Sequence, residues 1–250
     1  MKKMRLIVLL FTMLLLALAS LPAKAQKVVL TGGHNVIPVM YESKAGPTGF
    51  AIEIARTAME RAGLEVEVKL YPWARAVAIA KHGDAFITGF SYTETRAHDF
   101  AYSDLLVNEN MILVTRNGHE IPFDRAEDLT GRQIGYLNGS TFGPEFENLK
   151  RYFNPDPDTQ TSRRIQKLMM GRLDGAIFAQ SMIAYFPELF NTNIEDLTVL
   201  PRKVGESAMY LATAQNTAHA TLMTRINSAI NEMHADGTVA ALYARKYAYP

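Results

Sequence analysis

The sequence contains no cysteine, which excludes disulfide staples, thiolate metal sites and cysteine nucleophiles and leaves buried apolar surface to hold the fold. Charge of one sign is equally scarce. The 26 basic and 25 acidic residues leave a formal net charge of +1, without a long basic run, so the footprint of a nucleic-acid binder is missing. No glycine-rich phosphate loop, dinucleotide fingerprint or Gly-x-Ser-x-Gly elbow is present. The histidines (34, 82, 98, 119, 219 and 234) are scattered, with no pair at metal-ligand spacing on one helix face, so neither a metal nor a cofactor is expected. Beyond the first 25 residues no apolar run approaches the roughly 20 residues that span a bilayer.

What is present begins with a leader. Lys2, Lys3 and Arg5 precede an apolar run over 6–18, and Ala23-Lys24-Ala25 supplies small residues at a cleavage site. This is the anatomy of a secretory signal peptide over 1–25, and its apolar run is too short for a spanning anchor. No cysteine follows the run to carry a lipid. The mature chain is expected to start near Gln26, free in solution.

The mature chain alternates short apolar strands with amphipathic helices. Strands are predicted over 27–30, 66–70 and 85–88, with helices over 49–62 and 73–81 between them. Gly63 is placed to stop the first helix. The alternation resumes after residue 109. Strands are predicted over 111–115, 133–137, 175–178 and 208–212, and helices over 142–152, 163–170, 218–235 and 238–247. Asn154-Pro155-Asp156-Pro157-Asp158 reads as a turn-rich loop. Such alternation predicts an α/β fold of two similar units, each a mostly parallel sheet flanked by helices.

Several segments, in order, resemble the polar amino acid family of periplasmic binding proteins, the family 3 solute-binding proteins of ABC importers. Asp84-Ala85 through Ser91-Tyr92-Thr93-Glu94-Thr95-Arg96 is similar to that family's D-A-x-x-x-x-x-S-x-T-x-x-R, and Phe100-Ala101-Tyr102-Ser103-Asp104 to its F-x-x-S/T-D. The segment from Leu129 to Thr141 resembles L-x-G-x-x-V-G-V-x-x-G-T-T. Gly171-Arg172-Leu173-Asp174-Gly175 resembles a G-R-x-D-A turn, and Asp236-Gly237-Thr238 the C-terminal D-G-T. Pro72-Trp73-Ala74-Arg75-Ala76 is similar to a P-W-x-R-A element of one branch. The resemblance implies a two-lobed clamp of the type II periplasmic-binding-protein class, with two crossing hinge strands near 108–111 and 206–208. Lobe 1 would comprise 26–108 plus 207–250, and lobe 2 would comprise 109–206. It also implies a monomer that captures a small carboxylate-bearing solute and delivers it to the permease of an ABC importer.

The resemblance assigns site residues. Arg96 would fork onto the ligand carboxylate, which a planar guanidinium matches two-for-two. Thr88 and Ser91 would line the cleft at a strand end. Ser140 and Thr141, with the unpaired N–H groups of a helix start, would grip the same carboxylate from lobe 2. Trp73 would stack on the ligand body, with Tyr41 and Phe90 as further aromatic candidates. One position departs from the pattern. Where many amino-acid binders carry an acid for the α-ammonium, five positions beyond the turn Asp174, this chain has Ala179. Either Gln180, Glu42 or Glu109 substitutes, or the ligand is not a standard α-amino acid. Two other readings remain open. One is a ligand-sensing clamp for a signalling partner. The other is a dehydratase-like enzyme on the same scaffold, for which no convincing general acid or base is identified.

Overall fold

The computed structural model describes residues 25–140 and 142–244. The leader expected over 1–25 lies, except for its last residue, outside the described residues. So does the end of the last predicted helix beyond 244. Among the described residues no helix is long and apolar enough to cross a membrane.

The chain opens with strand β1 (Gln26–Gly33) and a small antiparallel sheet of β2 (Asn35–Val36), β3 (Met40–Ser43) and β4 (Gly46–Thr48). Then come α1 (Phe50–Arg61), β5 (Leu64–Tyr71), α2 (Trp73–His82), β6 (Phe86–Phe90), the short α3 (Glu94–Ala97) and the long β7 (Phe100–Arg116). A 3₁₀ turn (Ala126–Leu129) leads to β8 (Gln133–Leu137), α4 (Pro144–Leu149), β9 (Asn154–Asp158), α5 (Thr161–Met169) and β10 (Gly175–Ala179). A 3₁₀ segment (Gln180–Tyr185), α6 (Phe186–Phe190), the long β11 (Leu197–Ala214), α7 (Met223–Ala235) and α8 (Thr238–Ala244) complete it. The eight-stranded sheet has the order β5-β1-β6-β11-β7-β10-β8-β9. Three parallel strands stand on each side, and the antiparallel pair β7 and β11 runs through the middle.

Local chemistry explains the elements. Helix α1 buries Phe50, Ala51, Ile52, Ile54, Ala55, Ala58 and Met59 against the sheet and stops at Gly63, whose φ of 78° suits a residue without Cβ. Full burial of each large side chain here contributes about 1.5–3 kcal/mol. Four buried clusters result among the described residues, and the two largest are separate. Leu30, Ile52, Phe86, Leu106, Leu211 and Ile230 belong to the first, and Leu113, Ile134, Phe146, Ile177 and Val204 to the second. Strands β7 and β11 supply residues to both: Leu106 and Leu211 to one, Leu113 and Val204 to the other. The architecture is therefore two α/β lobes, as the sequence pattern led us to expect, linked by two crossing strands, as the resemblance implied.

The structure departs from the sequence reading in several places, three of them instructive. Asn154–Asp158 is an edge strand rather than a turn, parallel to β8 alone. Asn154 donates to Arg132 O at 2.8 Å and Asp158 O accepts from Asn138 N at 2.7 Å, while Pro155 and Pro157 alternate with these residues. An edge strand needs donors toward one neighbour only, so prolines on the outward positions cost no ladder bond. Helix α4 starts at Pro144 instead of 142, after Gly143 at a φ of 88°. Strands β7 and β11 extend far beyond their apolar cores, because the polar residues of the crossing stay paired: Asn110 faces Glu206, Glu109 faces Ser207 and Asn108 faces Ala208.

Candidate functional site: a cleft at the hinge

Strand register locates the cleft. At the end of β6, Phe90 pairs with Tyr210 of β11, which pairs with Leu105 of β7. At the end of β10, Ala179 pairs with Met111 of β7, having started from Ala176 beside Val114. The two strands thus run toward each other along β7, and the strands parallel to each of them do the same. Leu105 and Met111 are six residues apart, roughly 20 Å at the rise of a strand. The carboxyl ends of both parallel sheets therefore face one gap beside the hinge. Carboxyl ends are where open α/β sheets hold ligands.

On the lobe 1 side of this gap a guanidinium rests on an aromatic group. Arg96 stacks over the Phe90 ring at 4.3 Å and donates from Nη1 to Ser91 O at 3.0 Å. Its backbone N–H is capped by Thr93 Oγ1 at 3.2 Å, which fixes the turn that carries it. Among the described residues no carboxylate forms an ion pair with Arg96. Phe90 stacks on Tyr102 at 5.8 Å and tilts against Trp73 at 5.9 Å, and Tyr92 packs on Tyr102 at 5.3 Å. The Tyr102 hydroxyl reaches Ser91 O at 3.4 Å. Burial pushes its pKa up to about 12, and the positive charge of Arg96 opposes that rise. Tyr102 therefore stays a neutral donor.

On the lobe 2 side the loop from β8 to α4 is seated on the hinge. Phe142 O accepts from the Glu206 N–H at 3.1 Å. A Cβ on Gly205 would lie 2.1 Å from that carbonyl, so the approach requires glycine. Ser140, half-buried, closes a turn onto Leu137 O at 3.1 Å within the same loop. At the crossing itself Glu109 is fully buried. Its Oε1 accepts from the Ser181 N–H at 3.0 Å, and its Oε2 accepts from the Tyr243 hydroxyl at 3.1 Å. Burial raises the pKa of this carboxyl, and those donors restrain the rise. Asn110 donates to Gln180 Oε1 at 3.0 Å. The hinge is thus clasped by residues from both lobes.

The structure gathers Trp73, Ser91 and Arg96 on one face of the gap, with Ser140 on the loop opposite. Two expected site residues lie beneath the surface of the gap. Thr88 is 0% exposed and spends its hydroxyl on Ala51 O at 3.0 Å, tying β6 to α1. Phe90 is also 0% exposed and forms the floor beneath Arg96 instead of a wall a ligand touches. Both sit on a strand that packs both faces, so a position near its end does not bring the side chain to the surface. Tyr41 belongs to the β3 hairpin and makes no ring contact with this group among the described residues. Burial, and secondarily the Glu188 carboxylate, raise its pKa; Tyr185 is raised by burial, then by Tyr41 and Glu188. Thr141 lies outside the described residues. Sequence reasoning missed Tyr102, Tyr92 and the Glu109–Tyr243 clasp. Tyr102 sits inside the Phe100–Asp104 motif, where alternation along β7 could have placed it; a contact made by residues 109 and 243 leaves no local trace.

Comparison with known proteins agrees with this architecture. The family model described as "Bacterial extracellular solute-binding proteins, family 3" matches residues 29–248. The arginine-binding extracellular protein ArtP of Bacillus subtilis is 23% identical over 223 residues, covering 87% of this chain and 84% of its own. The amino acid ABC transporter substrate-binding protein AbpA of Streptococcus pneumoniae, solved with L-arginine bound, superposes with a TM-score of 0.66 at 19% identity, over 88% of this chain and 94% of its own. A histidine kinase sensor domain with similarity to periplasmic binding proteins reaches a TM-score of 0.67 at 20% identity, over 89% of this chain and 96% of its own.

Proposed function

The chain belongs to the bacterial extracellular solute-binding proteins, family 3, and from that premise we propose that it captures a small carboxylate-bearing solute between its lobes and hands it to the permease of an ABC importer. The observation that carries the reading is Arg96: a guanidinium held at the mouth of the converging strand ends, positioned by Phe90 and Ser91 and ion-paired to no acid among the described residues. In this reading the lobes comprise 26–108 plus 207–250, and 109–206. The mature protein is a monomer in the periplasm, released there by cleavage of its leader.

The physical logic is that of a clamp. Closing removes water from the gap, and each charge-assisted hydrogen bond then counts for more. Arg96 forks onto the carboxylate from one side, while Ser140 and the N–H groups of its loop approach from the other. Trp73 and Tyr92 cover the body of the ligand. Capture is reversible and involves no covalent step. The arginine named for ArtP and bound in AbpA carries the carboxylate this scheme requires.

The test is a thermal-shift screen of the mature protein with amino acids, other carboxylates, amines and small peptides, followed by calorimetry. A ligand at 100 times its Kd adds about 2.7 kcal/mol of stability. Arg96→Ala is expected to weaken the best hit by about 3 kcal/mol, roughly a hundredfold, with the unliganded melting temperature unchanged. Unaltered affinity in that variant removes Arg96 from the site. The likeness to a kinase sensor domain supports a second reading, in which the same clamp presents its bound form to a signalling partner. Pull-down of a permease rather than a kinase by the liganded protein separates the two.

A further inference from the structure

Resting on the carboxylate cleft just described, we propose that its ligand carries a cationic group well removed from the carboxylate, and that Glu188 binds this cation together with the phenol groups of Tyr41 and Tyr185. The inference comes from two segments that meet from opposite lobes: the β3–β4 hairpin and the stretch that follows β10.

Met40 seats the hairpin on the strand ends of lobe 1. It is 3% exposed, and its Sδ accepts from the Gly33 N–H at 3.0 Å. A Cβ on Gly32 would lie 2.6 Å from that sulfur, and one on Gly89 2.3 Å from Met40 Cε, so glycines near the carboxyl ends of β1 and β6 leave the room this side chain fills. Successive residues of a strand point to opposite faces. Tyr41 therefore points away from the strand ends of its own lobe, and yet it is half-buried. On that side lies lobe 2. Tyr185, itself buried, ends the 3₁₀ segment that leaves the carboxyl end of β10, and Glu188 follows on α6. Glu188 acts on both tyrosines, and Tyr41 acts on Tyr185. Burial, before either of these influences, holds both phenols above their ordinary range, so they remain neutral donors.

The charges at this meeting point are uncompensated. Glu188 is exposed and takes part in no ion pair among the described residues. The same holds for Glu42, exposed beside Tyr41, and Lys44 in the hairpin turn pairs with neither acid. Arg96 acts on Tyr102 but not on Tyr41 or Tyr185, and Glu188 does not act on Tyr102. The gap thus has two separate poles, a guanidinium and a carboxylate, that do not cancel each other. An α-ammonium, fixed to the carbon beside the carboxylate, stays near Arg96; a cation further along the ligand reaches Glu188. Closing the lobes over a neutral ligand strips water from Glu188 and leaves its charge unpaired, the arrangement that burial punishes. A cation offsets that cost, and the faces of the two tyrosine rings add to its attraction.

Calorimetry on the mature protein compares ligands that differ in that charge alone: 5-aminopentanoate against hexanoate, and L-arginine against L-citrulline. The cationic member is expected to bind about tenfold tighter or more in each pair. Glu188→Gln, an isosteric change at an exposed position, is expected to cut that preference to about threefold or less without weakening hexanoate or moving the unliganded melting temperature. Arg96→Ala is expected to weaken all four ligands. Equal binding within the pairs, or a preference that Glu188→Gln leaves intact, overturns the inference, and a cleft that still answers to Arg96→Ala then stands without it. Binding of no member of either pair overturns the inference as well. If the best ligand of the screen also lacks a carboxylate and is indifferent to Arg96→Ala, the carboxylate cleft falls with it.

Discussion

Two side chains carry the electrostatics of the cleft and its hinge, and each is kept in the state its neighbours permit. Arg96 is held by stacking and a carbonyl, contacts that orient a guanidinium without cancelling its charge. In the proposed function this uncancelled charge is what an anionic ligand meets. Glu109 is the converse, a carboxyl enclosed at the crossing whose pKa is raised because burial disfavours its charged form. The folded protein holds that proton more tightly than the unfolded chain does. The stabilisation from the protonated clasp is complete below the ordinary carboxylate range and is lost as pH rises through the raised value. Glu109→Gln removes the titration. The melting temperature of the variant minus that of the native protein is expected to increase from pH 4 toward neutrality. A difference that stays flat, or declines, over that range contradicts the assignment.

At the scale of elements, the loop between β8 and α4 decides how lobe 2 meets the hinge. Its seat depends on Gly205, where a methyl group would fall 2.1 Å from Phe142 O. Gly205→Ala must displace the loop or the strand. It is expected to cost about 1–3 kcal/mol of stability and to weaken ligand binding, since Ser140 moves with the loop. Denaturation and calorimetry on the variant measure both, and native affinity would show that the loop position is irrelevant to binding. Elements with a clear period were legible in the sequence. Helix α1 was placed to within a residue of its start and end, and β8 at both of its ends, because apolar spacing and Gly63 fix them locally. The edge strand β9 was not legible. Its prolines argue against a central strand, and only knowledge of which neighbour it lacks makes them acceptable. The short sheet β2–β4 carries no long periodic signal either. The candidate site was legible in the same uneven way. Arg96 and Trp73 are surface-reaching residues of recognisable motifs. Thr88 and Phe90 occupy the same strand, yet their exposure depends on the packing of α1 and of the Phe100–Tyr102 stretch against it.

For the whole molecule, two lobes with their own buried clusters, joined by a pair of strands, constitute a hinged object. Few contacts need to change for the lobes to rotate, because each keeps its own buried cluster and the strand pairing at 108–110 and 206–208 spans the joint. A ligand closes such a protein only to the extent that it binds the closed form better. That preference arises here if one carboxylate is gripped by Arg96 and by the Ser140 loop at once. Small-angle X-ray scattering of the mature protein, with and without a saturating carboxylate ligand, tests this claim most directly. The radius of gyration is expected to fall on binding in the native protein and to remain at its unliganded value in Arg96→Ala at the same ligand concentration. An unchanged radius in the saturated native protein would contradict the account.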